Sequence, residues 1–346
     1  MRGHVDNHTD DRTLAAALGE RVDNLMSGEG SVTFPAVPAM IDTYTDRCVA
    51  VFAAVGRPFS GEERGHLREV LARTLAEAHA FSQRSSITIT YRSHPAEPLT
   101  YAVRCNLVTL EQAYHEWTAS RAGPLFGAEP DARVWALAAG VADPPAHPVL
   151  DIGAGTGRNA LALARRGHPV DAAEPTDDFA RAIEAAAQQE SLNVRVIRRD
   201  VFDPDCYLRT DYSMIVLSGV VSEFRTSRQL RGTFELAARH LVTGGHLVFN
   251  VFVTEAGYVP SDAARQFAQQ SYSGFFTPDE IAVAAAGLSL DLVADDSVHV
   301  YEKEHLPAGV WPPTSWYVNW VTGRDVFGPA AEACPIELRW LVYRKN

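Results

Sequence analysis

The chain has 346 residues, 46% hydrophobic and 21% charged, with a formal net charge of −12 at pH 7. That length allows one large domain or two modest ones, with core enough to need no disulfide or metal staple. The acidic balance, with no lysine or arginine run longer than two residues, argues against nucleic acid and against anionic membrane surfaces as partners.

Cys48, Cys105, Cys206 and Cys334 stand far apart in the sequence and are expected as free thiols. The histidines form no pair suited to zinc, so no metal site is expected. Met1 to Thr13 is polar, and nothing approaches 18 consecutive apolar residues, so the expectation is a cytoplasmic protein.

In chain order, residues 1 to about 35 are weakly patterned, with one helix expected near Leu14–Leu25. Ile41, Tyr44, Cys48, Val51, Phe52 and Val55 recur at helical spacing until Gly56 and Pro58. Ser60 with Glu63 forms a capping-box pattern for a helix whose stripe runs from Leu67 to Ala78. Ile87–Tyr91 and Leu99–Val103 alternate like two strands. Thr109 and Gln112 open another helix, carrying Tyr114 and Trp117, and a further helix is expected over Ala132–Val141.

After Asp143-Pro144-Pro145 the pattern changes to strands alternating with helices. Strands are expected at Val149–Ile152, Val170–Ala173, Val194–Ile197, Met214–Leu217 and His246–Val253. Helices are expected at Asn159–Arg166, Asp177–Glu190 and Gln229–Leu241. Alternation of this kind implies parallel β-α-β units in a doubly wound sheet. Towards the end, Thr277-Pro278-Asp279-Glu280 starts a helix, while Leu288–Val300 and Ile336–Tyr343 read as long strands that add an antiparallel edge. The expected domains are a mainly helical extension over residues 1–145 and a sheet domain over 146–346, with a substrate-facing insertion at about 254–335.

The chemistry is concentrated where the first of these strands meets its helix, in Asp151-Ile152-Gly153-Ala154-Gly155-Thr156-Gly157. Glycines there let the backbone turn sharply and a ligand approach closely, and the helix start offers unpaired N–H groups. Ligands of open α/β sheets sit beyond the carboxyl ends of the strands, and those ends carry suitable groups. Glu174 can accept hydrogen bonds from two ribose hydroxyls, Asp200 and Val201 can receive an adenine, and Ser218 lies beside the expected reaction centre. A dinucleotide fingerprint needs a third glycine at position 158, which is Arg158, and a P-loop needs a Gly-Lys-Ser/Thr that is absent.

Asp151 with its glycines, Glu174, Asp200-Val201 and the Gly244-Gly245 turn before a strand resemble class I S-adenosylmethionine (SAM)-dependent methyltransferases over about residues 146–346. Arg158-Asn159 resembles the tellurite-resistance-type, small-molecule members. The resemblance implies a seven-stranded Rossmann-like sheet with an antiparallel last strand. It also implies SAM as cofactor, held by Asp151, Gly153, Gly155, Gly157 and Arg158 at the methionine end, Glu174 at the ribose, and Asp200 with Val201 at the adenine. Tyr114 resembles a tyrosine that many members place over the cofactor, although a Tyr/Trp helical stripe also suits plain core packing.

Methyl transfer needs alignment of nucleophile, methyl carbon and sulfur, and a base only where the nucleophile starts protonated. Tyr114, Glu223 and His305 are the candidate catalytic residues; Tyr301 and Trp316 are candidate walls of a substrate pocket. Each has a plainer reading: Glu223 as a helix-start carboxylate, His305 as structural or exposed, Tyr301 and Trp316 as core. Glu302 and Glu304 read as a solvated acidic turn. The expected activity is methylation of a small molecule, in specialised metabolism, with the N-terminal extension as a lid or a dimerisation arm and the oligomeric state open. The alternatives are SAM consumption without methylation, by cyclisation to azetidine-2-carboxylate with release of methylthioadenosine or by aminocarboxypropyl transfer, and a non-catalytic SAM-binding module.

Overall fold

A computed structural model of the chain describes residues 7–95, 97–120, 125–331 and 333–346. The chain divides into two compact units, Met1–Ala113 and Tyr114–Asn346.

The first unit contains α1 (Asn7–Leu25), β1 (Gly28–Pro35), α2 (Ile41–Ala54), α3 (Gly61–Phe81), β2 (Ser86–Ser93) and β3 (Thr100–Asn106). Its strands form an antiparallel sheet in the order β1-β2-β3. Strand β1 was not expected, because its first half, Gly28-Glu29-Gly30-Ser31, has no apolar alternation. Pairing with β2 along its whole length, from Gly28 opposite Ser93 to Pro35 opposite Ser86, makes it a strand. The expected hydrophobic stripes meet over this sheet, with Cys48 and Phe52 of α2, Leu67, Leu71 and Leu75 of α3, and Ile87 and Ile89 of β2 buried in one core. The capping box of Ser60 and Glu63 forms as the sequence predicts. Helix α4 (Leu110–Ala119), opened by the Thr109–Gln112 pair, runs across the boundary into the second unit.

The second unit begins well before residue 145. Helix α5 (Ala132–Ala139) belongs to it, because Val134 and Ala138 are buried in the same cluster as Val149, Leu163 and Trp340. The remaining elements alternate through β4 (Val149–Ile152), α6 (Arg158–Arg165), β5 (Val170–Ala173), α7 (Asp177–Glu190), β6 (Val194–Ile197), β7 (Tyr212–Leu217), α8 (Ser227–His240) and β8 (Leu241–Thr254). There follow α9 (Asp262–Gln270), β9 (Phe275–Phe276), α10 (Pro278–Ala285), β10 (Leu290–Ser297), α11 (Val298–His305), α12 (Tyr317–Val321), α13 (Arg324–Phe327) and β11 (Ile336–Lys345).

The sheet order is β10-β11-β8-β7-β4-β5-β6, with β9 added beside β8. Pairing is parallel from β8 to β6, and β11 runs antiparallel to both β8 and β10. This is the doubly wound, Rossmann-like α/β fold, but the reversed strand β11 lies inside the sheet and β10 forms its edge. Side chains alternate between two cores: Val149, Val216 and Val248 enter one, while Leu150, Leu217 and Phe249 enter the other.

One element departs clearly from the sequence reading. The strand expected to run to Val300 stops at Ser297, whose hydroxyl caps a new helix by accepting the N–H of Val300 at 3.3 Å. The segment Tyr301–His305 is therefore helical rather than a turn at a strand end.

Candidate cofactor site

Between β4 and α6 the backbone reverses through Gly153, Gly155 and Gly157, whose φ angles are +65°, +56° and +85°. L side chains rarely adopt such angles. A Cβ on Gly153 would stand 2.4 Å from a Val220 methyl group, so space and dihedral both require glycine there. A Cβ on Gly155 would lie 3.4 Å from the Phe126 ring, which places that ring against the turn.

Asp151, in β4 just before the turn, is buried, and its Oδ2 has no hydrogen-bond partner within the protein. Burial, with help from the Asp131 and Glu174 carboxylates and against the pull of Arg158, pushes its carboxyl up to about 7. An orphaned buried carboxylate oxygen is costly unless a ligand completes it. Glu174, just past β5, is also buried and folds back on the turn. Its Oε2 accepts the Gly155 N–H at 2.8 Å and its Oε1 the Thr176 N–H at 2.7 Å. Burial raises its pKa while those N–H groups oppose the rise. Past β6, Asp200 is exposed and accepts the Phe202 N–H at 2.9 Å, while Val201 is buried beside it.

A buried carboxylate that the sequence reading missed ties three of these elements together. Asp131 precedes α5, and its Oδ1 accepts Arg158 Nη1 at 2.6 Å. Its Oδ2 accepts Asn159 Nδ2 at 2.8 Å and Ser218 Oγ at 2.7 Å. Asn159 answers with its Oδ1, which accepts the Asp131 N–H at 2.9 Å. The residue is the N-cap of α5, yet its side chain makes no cap bond. Burial disfavours the Arg158 charge, but the Asp131 carboxylate outweighs it and holds the guanidinium protonated.

A second group is aromatic. Tyr114 packs with Trp117, Phe179 and Tyr272 at ring separations of 5.9–6.1 Å. Trp117 reaches Phe126 at 5.7 Å and Trp316 at 5.6 Å. Through Phe126 this cluster adjoins the glycine turn. The Tyr114 hydroxyl donates to Glu223 Oε1 at 3.3 Å. Glu223 lies in a short 3-10 turn after β7 rather than at the start of a helix.

Trp316 thus joins the cluster, whereas Tyr301 and His305 pair elsewhere. Their rings stack at 4.1 Å, Arg133 lies 4.8 Å over the Tyr301 ring, and the exposed His305 bonds through Nδ1 to the Tyr301 carbonyl. Glu302 overturns the expectation of a solvated turn. It is 1% exposed, because α11 turns it inward to accept the N–H groups of Ala132 and Arg133 and the indole N–H of Trp340. Glu304 is exposed. Among the described residues, no cluster of His, Cys, Asp or Glu is arranged to hold a metal ion, and no helix is long and apolar enough to cross a membrane.

A doubly wound sheet with a glycine turn after its first parallel strand and acids after the next two is a Rossmann-like fold, in which ligands sit beyond the carboxyl ends of the strands. Residues 149–245 match the family model described as a methyltransferase domain. That segment is similar to a methyltransferase domain, and S-adenosylmethionine is the cofactor that such a domain takes. The unpartnered Asp151 Oδ2 and the glycine cradle fit a ligand that carries an ammonium group and needs close backbone approach.

No curated protein matches the chain. Similar solved structures include a geranyl diphosphate methyltransferase in complex with SAM (15% identity, 62% of this chain and 85% of that one, TM-score 0.47). Others are a putative sarcosine dimethylglycine methyltransferase from Galdieria sulphuraria (18%, 68% and 86%, 0.47) and the [4+2]-cyclase SpnF (16%, 68% and 96%, 0.47).

Proposed function

We propose that this protein methylates a small molecule with SAM as donor, in specialised metabolism. The observation that carries the proposal is the aromatic cluster of Tyr114, Trp117, Phe126 and Trp316 set against Gly155 of the turn. Bound SAM supplies an electrophilic methyl carbon on a sulfonium. Aromatic faces favour such a cation by about 0.5–2 kcal/mol each and exclude water from the reaction side.

In this reading Asp151, Arg158 and the backbone of Gly153, Gly155 and Gly157 hold the methionine end. Glu174 leaves Gly155 to take the ribose hydroxyls, and Asp200 with Val201 holds the adenine. Ser218 borders the reaction side. Glu223 accepts a proton from the acceptor while the Tyr114 hydroxyl orients its carboxylate, and Trp316 walls the acceptor pocket. The strongly acidic chain favours a small-molecule acceptor over a nucleic acid.

The test is incubation with SAM, with and without a panel of small-molecule acceptors, followed by identification of the nucleoside product. Acceptor-dependent S-adenosylhomocysteine is the expected result. Methylthioadenosine formed without acceptor would mean that the bond to the aminocarboxypropyl chain breaks instead, and would overturn methyl transfer. A protein that does not bind SAM at all would overturn the reading from its base.

A further inference from the structure

We infer that Asp131, which lies upstream of the methyltransferase-domain match, is a positioning residue for the cofactor site. It acts through Arg158, Asn159 and Ser218. The inference rests on the SAM assignment.

Three features support it. First, the carboxylate is 2% exposed and fully engaged, with Arg158 on one oxygen and Asn159 and Ser218 on the other. These partners bracket the site: Arg158 and Asn159 form the first turn of α6 directly after the glycines, and Ser218 directly follows β7. Second, the network continues into the sheet. Asn250 of β8 donates from Nδ2 to Ser218 Oγ at 3.5 Å and accepts the Gly219 N–H on Oδ1 at 2.7 Å. Asn250 stands opposite Trp340 of β11, whose indole reaches Glu302, and Glu302 holds the N–H of Ala132 next to Asp131. Hydrogen bonds thus link Asp131 to α6, Ser218 and Asn250 on one side and link Ala132 through Glu302 to Trp340 on the other, and the two chains meet at the paired positions Asn250 and Trp340 of β8 and β11.

Third, Arg158 keeps something in reserve. Its Nη1 is bound by Asp131 and by the Glu129 carbonyl, yet its buried Nε has no partner within the protein. A guanidinium is planar, so a carboxylate that fixes Nη1 also fixes the direction of Nε. With Asp131 in place, the orphan Nε is held as a ready donor for an acceptor atom of the cofactor, and a carboxylate is the chemical group that suits it. Without Asp131 the side chain is free to reorient and Ser218 loses its anchor.

The test is the affinity of the full-length protein for S-adenosylhomocysteine, measured by calorimetry on the wild type, Asp131→Asn, Arg158→Gln and the double variant. The expected result is about tenfold weaker binding for each single variant. The double variant should be little worse than the weaker single one, because both changes remove the same alignment. Ser218→Ala, which removes one contact and leaves the ion pair, should weaken binding about two- to fivefold and serves if Asp131→Asn does not fold. Affinity within twofold of wild type in Asp131→Asn, or in Ser218→Ala where it must stand in, would overturn the inference. So would losses that multiply to about a hundredfold in the double variant. A wild type that does not bind the ligand would instead remove the cofactor assignment, so the two failures are distinguishable.

Discussion

Glu302 on α11 accepts the indole N–H of Trp340 on β11 at 2.8 Å, in a setting where the carboxylate is 1% exposed. The same carboxylate accepts the first two N–H groups of α5, Ala132 at 2.8 Å and Arg133 at 3.2 Å. Helix starts leave such donors without intrahelical partners, so here a buried acid from 170 residues away takes the place of a local cap.

Removing that acid should be costly. Glu302→Ala leaves two buried donors and a half-buried one unsatisfied and should destabilise the protein by about 2–5 kcal/mol. Glu302→Gln keeps an acceptor and should lose less. Urea unfolding of the two variants checks the order; equal stability of Glu302→Ala and wild type would contradict the role.

Two buried acids make stability depend on pH in a stated direction. Burial, aided by nearby Asp131, pushes Glu302 up to about 7, and burial, aided by Asp131 and Glu174, pushes Asp151 up to about 7. A carboxyl whose pKa is higher folded than unfolded stabilises fully below its unfolded value, near 4, and that contribution is lost as pH rises through 7. The ligand-free protein should therefore melt at a lower temperature at pH 8 than at pH 6, and Asp151→Asn should reduce the difference to the part that Glu302 contributes. A melting temperature that rises over that interval would contradict the assignment.

Cofactor binding should run the other way. On the proposal that Asp151 receives the ammonium end of the cofactor, it must ionise to do so, and affinity for S-adenosylhomocysteine should rise by up to about tenfold per pH unit below 7 and level off above it. Calorimetry across pH 5.5–8.5 reads this directly. In Asp151→Asn the slope should vanish and binding at pH 8 should weaken.

Gly153→Ala should abolish cofactor binding. The added Cβ would meet Val220 at 2.4 Å with φ at +65°. Strain of this kind costs about 1–3 kcal/mol and shifts the turn that must approach the ligand. Gly61→Ala, at an open position in α3, is the control and should bind as wild type.

Tyr114→Phe keeps the ring in the cluster and removes only the donor to Glu223. If the proposed function holds, it should lower turnover by about tenfold with little change in cofactor affinity, and Glu223→Gln should lower it further. Parallel turnover and affinity measurements separate a positioning role from a packing one.

Much of this architecture was legible beforehand for a local reason. The runs Val149–Ile152 and Val194–Ile197 are strands with the expected bounds, and Asp177–Glu190 is a helix with the expected bounds. Their neighbours Gly, Pro and Asp act over one turn of chain. Strand β1 was illegible because its glycine-rich half becomes a strand only by pairing with β2. The end of β10 was misread because alternation continues past Ser297, where a cap bond decides the matter instead.

The sequence by itself determined the glycine turn, the order of strands and helices from there to β8, and the acids at Asp151 and just past the next two strands, Glu174 and Asp200. These depend on backbone dihedrals and on side-chain period, which neighbouring residues set. Only the tertiary structure decided which acids are buried and what they hold. In the sequence Glu302 reads as a surface turn, and Asp131 carries no pattern that singles it out. They become the polar frame of the site because Arg158, Ser218, Ala132 and Trp340 arrive from 27, 87, 170 and 38 positions away. The environment of a charge is a property of everything folded around it, and no local pattern encodes that.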